Sequence, residues 1–224
     1  MSNIEGGPFN GIWDKIGRQH NSCDSCVGVL RGTNTVVKWS KARPESRAEM
    51  WGMCEFRRRS DILYREALGD EHIVDSIFIA GQKKNGRGME YKPYIIQPFI
   101  NSWTGKDVPN EIRTSRIVTD QWAVLYSRLY YLYQTASEVN SQLSDEYRFP
   151  VTITVGSTRQ IVKENLGQED VIRMPQTDNI LVDKGSKKLY LCDFGEYAVW
   201  TVKMTQAYDE ILSRTSLRNN NSRD

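Results

Sequence analysis

The hydrophobic positions of the chain fall into two kinds of pattern. Short runs in which apolar and polar residues alternate, bounded by Gly, Asn or Pro, predict β-strands. These runs are Ile12–Ile16, Cys26–Leu30, Thr35–Trp39, Ile77–Ala80, Tyr94–Ile100, Ile180–Asp183 and Leu189–Cys192. Longer segments in which apolar residues recur every three or four positions predict helices at Glu45–Leu68, Val118–Leu143 and Glu196–Ser216. The mixture predicts an α+β fold.

The composition is that of a globular chain. Of the 224 residues, 39% are hydrophobic and 10% aromatic, which is enough for one sizeable core or two small lobes. The net charge is only +2, from 30 basic and 28 acidic residues that are interspersed, so composition predicts neither a nucleic-acid nor a membrane partner. No window approaches the roughly 18 apolar residues of a membrane span. The four cysteines are scattered, which favours a reducing, intracellular compartment.

Cys23 and Cys26 form a C-x-x-C pair of the kind that zinc and redox sites use. The chain has only two histidines, His20 and His72, and no second C-x-x-C pair. A complete tetrahedral metal site is therefore hard to assemble, and we interpret the pair as two incidental thiols in a loop.

A stretch near the C-terminal end combines strand patterning with polar residues at its ends. Ile180–Asp183 and Leu189–Cys192 predict two short strands, and Lys184–Lys188, which contains a glycine, predicts the turn between them. Asn179 opens the first strand and Asp193 closes the second, so antiparallel pairing brings their side chains to the same end of the hairpin. An amide and a carboxylate oxygen placed in this way suit Mg²⁺ that carries a nucleotide phosphate.

The sequence Asn179-Ile-Leu-Val-Asp followed, after the second strand, by Asp193-Phe-Gly resembles the end of the catalytic loop and the DFG motif of protein kinases. The resemblance covers about residues 12–197, and the turn between the two motifs is one residue longer than the family usually has. It implies Asn179 and Asp193 as magnesium ligands and ATP as the nucleotide. Val36-Val37-Lys38 resembles the V-A-I-K strand of the same family, which implies that Lys38 holds the α and β phosphates.

Two further elements of the resemblance carry changed residues. Where the family has glycines in the loop over the phosphates, this chain has Ser22 and Ser25, and serine loses the freedom to adopt positive φ. The long helix is implied to supply a carboxylate to Lys38; the corresponding position is Asp61, one methylene shorter than the family's glutamate, and Glu66 is the alternative. The spacing along this helix makes Met50, Met53, Cys54, Ile62 and Leu63 available for its inner face, with Arg57–Arg59 outside.

The strand that ends Ile95-Ile96-Gln97-Pro98-Phe99 is implied to be the hinge between the two lobes of a kinase. In that role the Gln97 carbonyl and the Phe99 amide face an adenine edge, and Ile96 gates the pocket behind it. Pro98 has no N–H, but the amide at its position is not the one asked to bind adenine, so proline is tolerated there.

The catalytic base of the family is an aspartate five residues before the asparagine, in H-R-D-x-x-x-x-N. The same window here reads Ile172-Arg-Met174-Pro-Gln-Thr-Asp178-Asn179, so the base position is Met174, which neither accepts a proton nor orients a hydroxyl. Asp178 points in another direction, and Asp170 is too far back without a rearrangement of the loop. Transfer by the usual route is predicted to be lost and the catalytic residue is unknown, although positioning and electrostatics leave room for slow residual activity.

Together the patterns predict a two-lobed, kinase-like fold with a truncated C-lobe. Residues 1–10 are expected to be loose, 11–97 to form the N-lobe, 98–214 an abbreviated helical C-lobe and 215–224 a disordered tail. Only one helix, with no A-P-E motif, is predicted after the DFG motif, which is similar to truncated minimal kinases and pseudokinases of pathogen effectors and viruses. Phe149–Glu164 predicts an extra hairpin that the resemblance leaves unexplained.

The expected function is that of a pseudokinase that binds ATP and Mg²⁺ and acts through a protein partner, in the cytoplasm or after delivery into a host cell. One alternative is an active atypical minimal kinase, or another kinase-fold transferase, whose acid comes from elsewhere. A second alternative is an interaction domain with no nucleotide site. Neither the partner nor the oligomeric state follows from the sequence.

Overall fold

A computed structural model of the chain describes residues 16–21, 25–30, 32–40, 44–85, 88–151, 174–192 and 198–221. Within these residues the fold is α+β, as predicted, with a five-stranded sheet, a three-stranded sheet and four helices. The described residues divide into two compact units. The first takes its residues from Met1–Arg59, Asp75–Ile100 and Tyr197–Trp200, and the second from Ser60–Val74, Asn101–Glu196 and Thr201–Asp224.

The sheet of the first unit is antiparallel, with the strand order β1-β2-β3-β5-β4. Its strands are β1 (Ile16–Asn21), β2 (Ser25–Leu30), β3 (Thr35–Ser40), β4 (Ile77–Asn85) and β5 (Gly88–Pro98). Because side chains alternate between the two faces of a strand, Val37, Trp39 and Tyr94 share one face, and all three are buried there. The predicted strands are confirmed at β2 and β3, whereas β4 and β5 are longer than the predicted Ile77–Ala80 and Tyr94–Ile100, and β5 ends at Pro98. Most of the run predicted at Ile12–Ile16 lies outside the described residues.

The predicted long helix is helix α1, which spans Arg47–Leu68. It begins at a capping sequence in which the Ser46 hydroxyl accepts the Glu49 N–H at 3.1 Å and the Glu49 carboxylate accepts the Glu45 N–H at 2.6 Å. It ends at Gly69, whose φ of +94° is a conformation that favours glycine. Both boundaries therefore follow from local sequence.

The second unit contains a three-stranded antiparallel sheet and three helices. The strands β6 (Ser102–Thr104), β7 (Ile180–Asp183) and β8 (Leu189–Leu191) lie in the order β6-β7-β8. The helices are α2 (Asn110–Arg113), α3 (Arg116–Ser141) and α4 (Thr205–Asn221). The predicted helix at Val118–Leu143 is thus confirmed as α3, and its buried stripe is Val118, Trp122, Leu125, Leu129, Leu132, Thr135, Ala136 and Val139.

The C-terminal helix differs from its prediction at both ends. The chain before it is not helical at Trp200, because the Trp200 N–H donates to the Gly52 carbonyl at 2.9 Å; α4 begins at Thr205 instead of Glu196. Its last turns run to Asn221, through part of the stretch that was expected to be a disordered tail. Thr215 is buried there, and the Arg218 guanidinium lies 4.0 Å from the centre of the Tyr131 ring. Packing on α3 therefore extends the helix beyond its apolar pattern.

The described helices include none that combines the length and the apolar character needed to cross a bilayer. The extra hairpin predicted at Phe149–Glu164 lies outside the described residues from residue 152 onwards. Its first residue, Phe149, is buried in the second unit, where its ring meets the edge of Tyr208 at 5.2 Å between ring centres.

Candidate functional site

The predicted hairpin near the C-terminal end is present as β7 and β8. Ile180 pairs with Leu191 and Val182 with Leu189, and these four side chains are all buried on one face. The pairing extends one step further, because the Cys192 N–H donates to the Asn179 carbonyl at 3.0 Å. Asp193, the second predicted magnesium ligand, lies outside the described residues together with the rest of the DFG motif.

The main chain around Asn179 is held from several directions. The Asn179 N–H donates to the hydroxyl of the buried Thr177 at 3.2 Å, and the Cys192 thiol lies 3.6 Å from the Asp178 carbonyl. The Asn179 side chain is half-buried. A ligand amide at this position would therefore be pre-organised by the hairpin and by the loop before it.

Met174, at the predicted position of the catalytic base, is 3% exposed. The loop that follows it packs closely on Gly105, where an added Cβ would lie 2.7 Å from the Thr177 carbonyl oxygen and 2.9 Å from that of Pro175. Gly105 also donates its N–H to the Ile180 carbonyl at 2.8 Å. The predicted base position is therefore occupied by an apolar side chain of the interior, and the segment that follows it packs against Gly105.

The structure describes one of the two carboxylates considered as a substitute base. Asp178 is exposed and forms an ion pair with Lys106, on the turn after β6. Asp170 lies outside the described residues. In the described part of the chain, no group of three or more His, Cys, Asp and Glu side chains is arranged to hold a metal ion.

Lys38 lies on β3 and lines a pocket of about 300 Å³, open solvent included, within the first unit. Its strand position pairs with Ile95 of β5, which in turn pairs with Phe78 of β4, so the three side chains share one face of the sheet. The other lining residues are Trp39, Met53, Cys54, Arg57, Pro93 and Tyr94. Apart from Lys38 and Arg57, the lining of this pocket is therefore mostly apolar.

Arg57 was expected on the outside of the long helix, but it is 5% exposed and lines the same pocket as Lys38. The signal that could have placed it inside is helical spacing, because Arg57 follows Met53 and Cys54 by four and three positions. Ile62, expected inside, is instead exposed. Burial raises the pKa of the Cys54 thiol in this pocket to about 12, so it behaves as an apolar group at neutral pH.

Asp61, the predicted partner of Lys38, is buried in the second unit, whereas Lys38 belongs to the first. Its carboxylate accepts a hydrogen bond from the Arg65 guanidinium at 2.7 Å, one helical turn further along α1. Arg65 also donates to the Val74 carbonyl at 3.1 Å. The pairing of Asp61 with Lys38 stays a prediction, and Glu66, the alternative, is exposed.

The predicted adenine-binding hinge is engaged in the sheet. The Phe99 N–H donates to the Asn34 carbonyl at 2.8 Å, so this amide is not available to an adenine edge unless that bond opens. Phe99 and Asn34 thus form a hydrogen-bonded pair, and such pairs recur at every second position along antiparallel strands. The pair two residues away, Gln97 with Val36, is therefore also of the kind whose main-chain groups face each other. The Gln97 side chain is buried and donates to the Ser76 hydroxyl at 2.8 Å. The main chain of β5 is thus paired with β3 as far as this point, and the assignment of these two groups to adenine stays a prediction.

The remaining predicted residues lie at the border of what the structure describes. Ser22 is outside the described residues, as is Cys23 of the C-x-x-C pair. Ser25 is the first residue of β2 and stands opposite Ser40 of β3.

No known family model matches this chain. No curated protein matches it either.

The chemistry available in each unit can be stated from its side chains. The pocket of the first unit is lined by two basic side chains, Lys38 and Arg57, together with mostly apolar residues, and basic side chains are the type that binds an anion such as a phosphate. The hairpin of the second unit offers the Asn179 amide but no acid at Met174. Each unit thus carries side chains of a type that can bind a ligand, and the position expected for the base, Met174, holds no acid.

Proposed function

We propose that this chain is a kinase-like protein that binds ATP and Mg²⁺ through Lys38, Asn179 and Asp193, does not transfer phosphate by the usual route, and acts through a protein partner. In this proposal the five-stranded sheet and α1 belong to the N-lobe, and the second unit is an abbreviated C-lobe. The observation that carries the proposal is the burial of Met174 beside a well-anchored Asn179: the binding residue is held in place, and the position of the base is apolar.

The pocket around Lys38 supports the nucleotide part of the proposal. Charges attract more strongly where neighbouring groups are apolar and exclude water, and the guanidinium of Arg57 can bind two phosphate oxygens at once. The free thiols of Cys54 and Cys192 agree with the expected reducing compartment.

The alternative of an interaction domain with no nucleotide site is favoured by one observation. The hydrogen bond from Phe99 to Asn34 occupies the amide that the resemblance assigns to adenine. If ATP does bind while this hydrogen bond is kept, its affinity comes from contacts with the phosphates more than from contacts with the adenine. The alternative of an active kinase requires an acid other than Asp178, whose carboxylate is paired with Lys106.

A thermal-shift titration with ATP, with and without Mg²⁺, tests the nucleotide site. Saturation at about one hundred times the dissociation constant stabilises the native state by about 2.7 kcal/mol, which corresponds to a rise in Tm of roughly 5–10 °C for a chain of this size. Lys38→Met is expected to abolish the shift, and Lys92→Met, which changes a lysine paired with Glu90 on β5, is expected to keep it.

The nucleotide site and the magnesium ligand Asp193 are each contradicted by a different result. No shift for the wild-type chain rules out the nucleotide site and leaves the interaction domain. An unchanged, magnesium-dependent shift in Asp193→Ala removes Asp193 from the ligand set. Incubation with labelled ATP and a cell lysate separates the remaining readings: transfer that disappears in Lys38→Met establishes an active kinase and overturns the loss of catalysis.

A further inference from the structure

The turn between β7 and β8 concentrates positive charge. Lys184, Lys187 and Lys188 lie within five residues of one another, against a single carboxylate, Asp183. The Asp183 side chain is turned to the main chain, where it accepts the N–H groups of Gly185 and Ser186 at 3.1 and 2.6 Å and the Ser186 hydroxyl at 2.8 Å. These hydrogen bonds lower the pKa of Asp183. The carboxylate therefore organises the turn, and the positive charge of Lys187 adds a smaller lowering of its pKa.

The turn is also held rigidly by its neighbours. The Lys184 N–H donates to the Asn101 carbonyl at 3.0 Å. Gln121 of α3 bonds the turn twice, since its amide donates to the Lys187 carbonyl and its oxygen accepts the Leu189 N–H, both at 3.1 Å. Lys187 has φ +62°, a conformation in which a residue with a Cβ is strained. Strain of this kind persists only where the surroundings impose it, and it clusters at functional sites.

Two aromatic rings lie beneath the lysines. The ammonium groups of Lys187 and Lys184 are 4.7 and 5.7 Å from the centre of the Trp103 ring, and that of Lys188 is 5.4 Å from the centre of the Tyr190 ring. Such contacts orient the cations and reduce the conformational freedom that they lose when they bind an anion. Because ammonium groups lie over the Trp103 ring, it is poorly placed to stack against a nucleic-acid base.

Apolar side chains are exposed beside this turn. Ile117 and Val124 lie four positions before and three positions after Gln121, so they share its face of α3. They are 60% and 48% exposed. A helix face that is bonded to the lysine turn thus carries two exposed hydrophobic residues next to it.

We infer that these residues form one docking surface for an acidic protein segment that also carries apolar side chains. We call it the lysine-turn surface: Lys184, Lys187, Lys188, Trp103, Ile117 and Val124. Carboxylates of the segment meet the three ammonium groups, and its apolar side chains cover Ile117 and Val124. Charge complementarity selects this occupant, and the covered Trp103 ring disfavours a nucleic acid. The inference rests on the proposed function only because both assume a protein partner. Docking of the acidic segment does not require a bound nucleotide.

The test measures binding of a fluorescein-labelled peptide of alternating Glu and Leu residues to the full chain by fluorescence anisotropy. The triple variant K184E/K187E/K188E is expected to weaken binding by at least about tenfold, since each of three charge pairs becomes a repulsion. The charge-matched control K83E/K84E/K92E, in β4 and β5, is expected to change it by less than about threefold. Ile117→Ser with Val124→Ser is expected to weaken binding without altering its salt dependence.

Three results overturn the inference. One is no binding of the acidic peptide by the wild-type chain. Another is an equal loss in both triple variants, which indicates a net-charge effect. The third is equal or tighter binding of phosphatidylserine vesicles or of a single-stranded oligonucleotide, which assigns the surface to a different class of ligand.

Two measurements separate this result from the proposed function. Circular dichroism and Tm show whether K184E/K187E/K188E folds, and a single Lys188→Glu variant provides a milder change if the triple variant does not. The lysine-turn variants are expected to keep the thermal shift with ATP, and Lys38→Met is expected to keep peptide binding. Loss of one property with retention of the other identifies which of the two assignments failed.

Discussion

Lysine occurs in two contrasting settings in this molecule. In the first unit, Lys38 shares a mostly apolar pocket with the buried Arg57. In the second unit, Lys184, Lys187 and Lys188 stand on a rigid turn over aromatic rings. An enclosed cation suits a small anion that can enter and lose its water, whereas cations on a turn suit an extended partner that remains partly solvated. The same residue type therefore points to two kinds of ligand, and its surroundings make the difference.

The largest expected effect concerns Met174. In the proposed function, its apolar side chain is the reason why the chain binds a nucleotide without transferring phosphate. Met174→Asp places a carboxylate where the side chain is 3% exposed, and an uncompensated buried charge costs about 3–5 kcal/mol. Burial raises the pKa of the new carboxyl above its unfolded value, so the variant loses stability as pH rises from about 4 towards 8.

Urea denaturation at pH 4, 6 and 8 measures this effect. Met174→Leu is the control, with an expected loss below about 1.5 kcal/mol that is the same at each pH. A small loss for Met174→Asp that does not depend on pH contradicts the prediction. If the variant instead gains phosphate transfer, the interior position is a viable base site and the alternative of a kinase close to activity is strengthened.

The second effect tests whether the loop before Asn179 is as tightly held as the close approach of Gly105 indicates. Gly105→Ala is expected to cost about 1–3 kcal/mol, because its Cβ meets main-chain oxygens that cannot turn away. Gly185→Ala in the lysine turn is the matched control, since the only atom near its Cβ is an Asp183 oxygen at 3.4 Å. Chemical denaturation compares the two; equal losses mean that the loop yields and that Asn179 is less well positioned than proposed.

The third effect concerns Arg57, which was predicted to lie outside but lines the Lys38 pocket. Arg57→Met is expected to weaken ATP binding about tenfold, within the range for one charge-assisted hydrogen bond. Arg57→Lys is expected to retain part of the affinity, because it keeps the charge but not the bidentate geometry. Isothermal titration with ATP measures both, and Arg58→Met, which changes a neighbour paired with Glu55, serves as the control. Unchanged affinity in Arg57→Met excludes Arg57 from the site.

The smallest effect concerns the turn that holds the lysines. Asp183→Ala removes three hydrogen bonds from an exposed carboxylate, with an expected loss of about 1 kcal/mol at pH 7. The pKa of Asp183 is lowered in the folded state, so its stabilisation is present above the unfolded value of about 3.9 and is lost as pH falls through the folded value. The difference between wild type and variant is therefore expected to shrink below pH 4. A difference that grows on acidification contradicts the role of the ionised carboxylate.

Local sequence determined much of the fold. The hydrogen bonds that begin α1 join residues no more than four positions apart, and Gly69 ends the helix through its own φ. The β7–β8 hairpin follows from two short apolar runs and a turn, because both strands bury alternate side chains and the loop between them is short. Such elements depend on contacts between neighbours in the chain. Their positions can therefore be predicted from a window of residues.

The candidate site was predicted unevenly for the same physical reason. The position of Asn179 just before β7 follows from the local strand pattern, whereas the assignment of a base position to Met174 depends on the resemblance to kinases and stays a prediction. The burial of Arg57 depends on which side of α1 packs against the sheet, and the hydrogen bond from Phe99 to Asn34 depends on how far β5 pairs with β3. Asn34 and Phe99 are about 60 residues apart in the chain, so no local window of sequence contains the information that predicts their hydrogen bond.

The amino-acid sequence by itself determined the α+β class and the approximate positions of most of the described strands and helices. Only the tertiary structure decided that Arg57 joins Lys38 in one pocket, that the Phe99 amide is engaged by Asn34, and that three lysines of one turn lie over aromatic rings beside Ile117 and Val124. Periodicity states which residues share a face of an element. Packing between distant segments determines what that face meets, and function follows from what it meets.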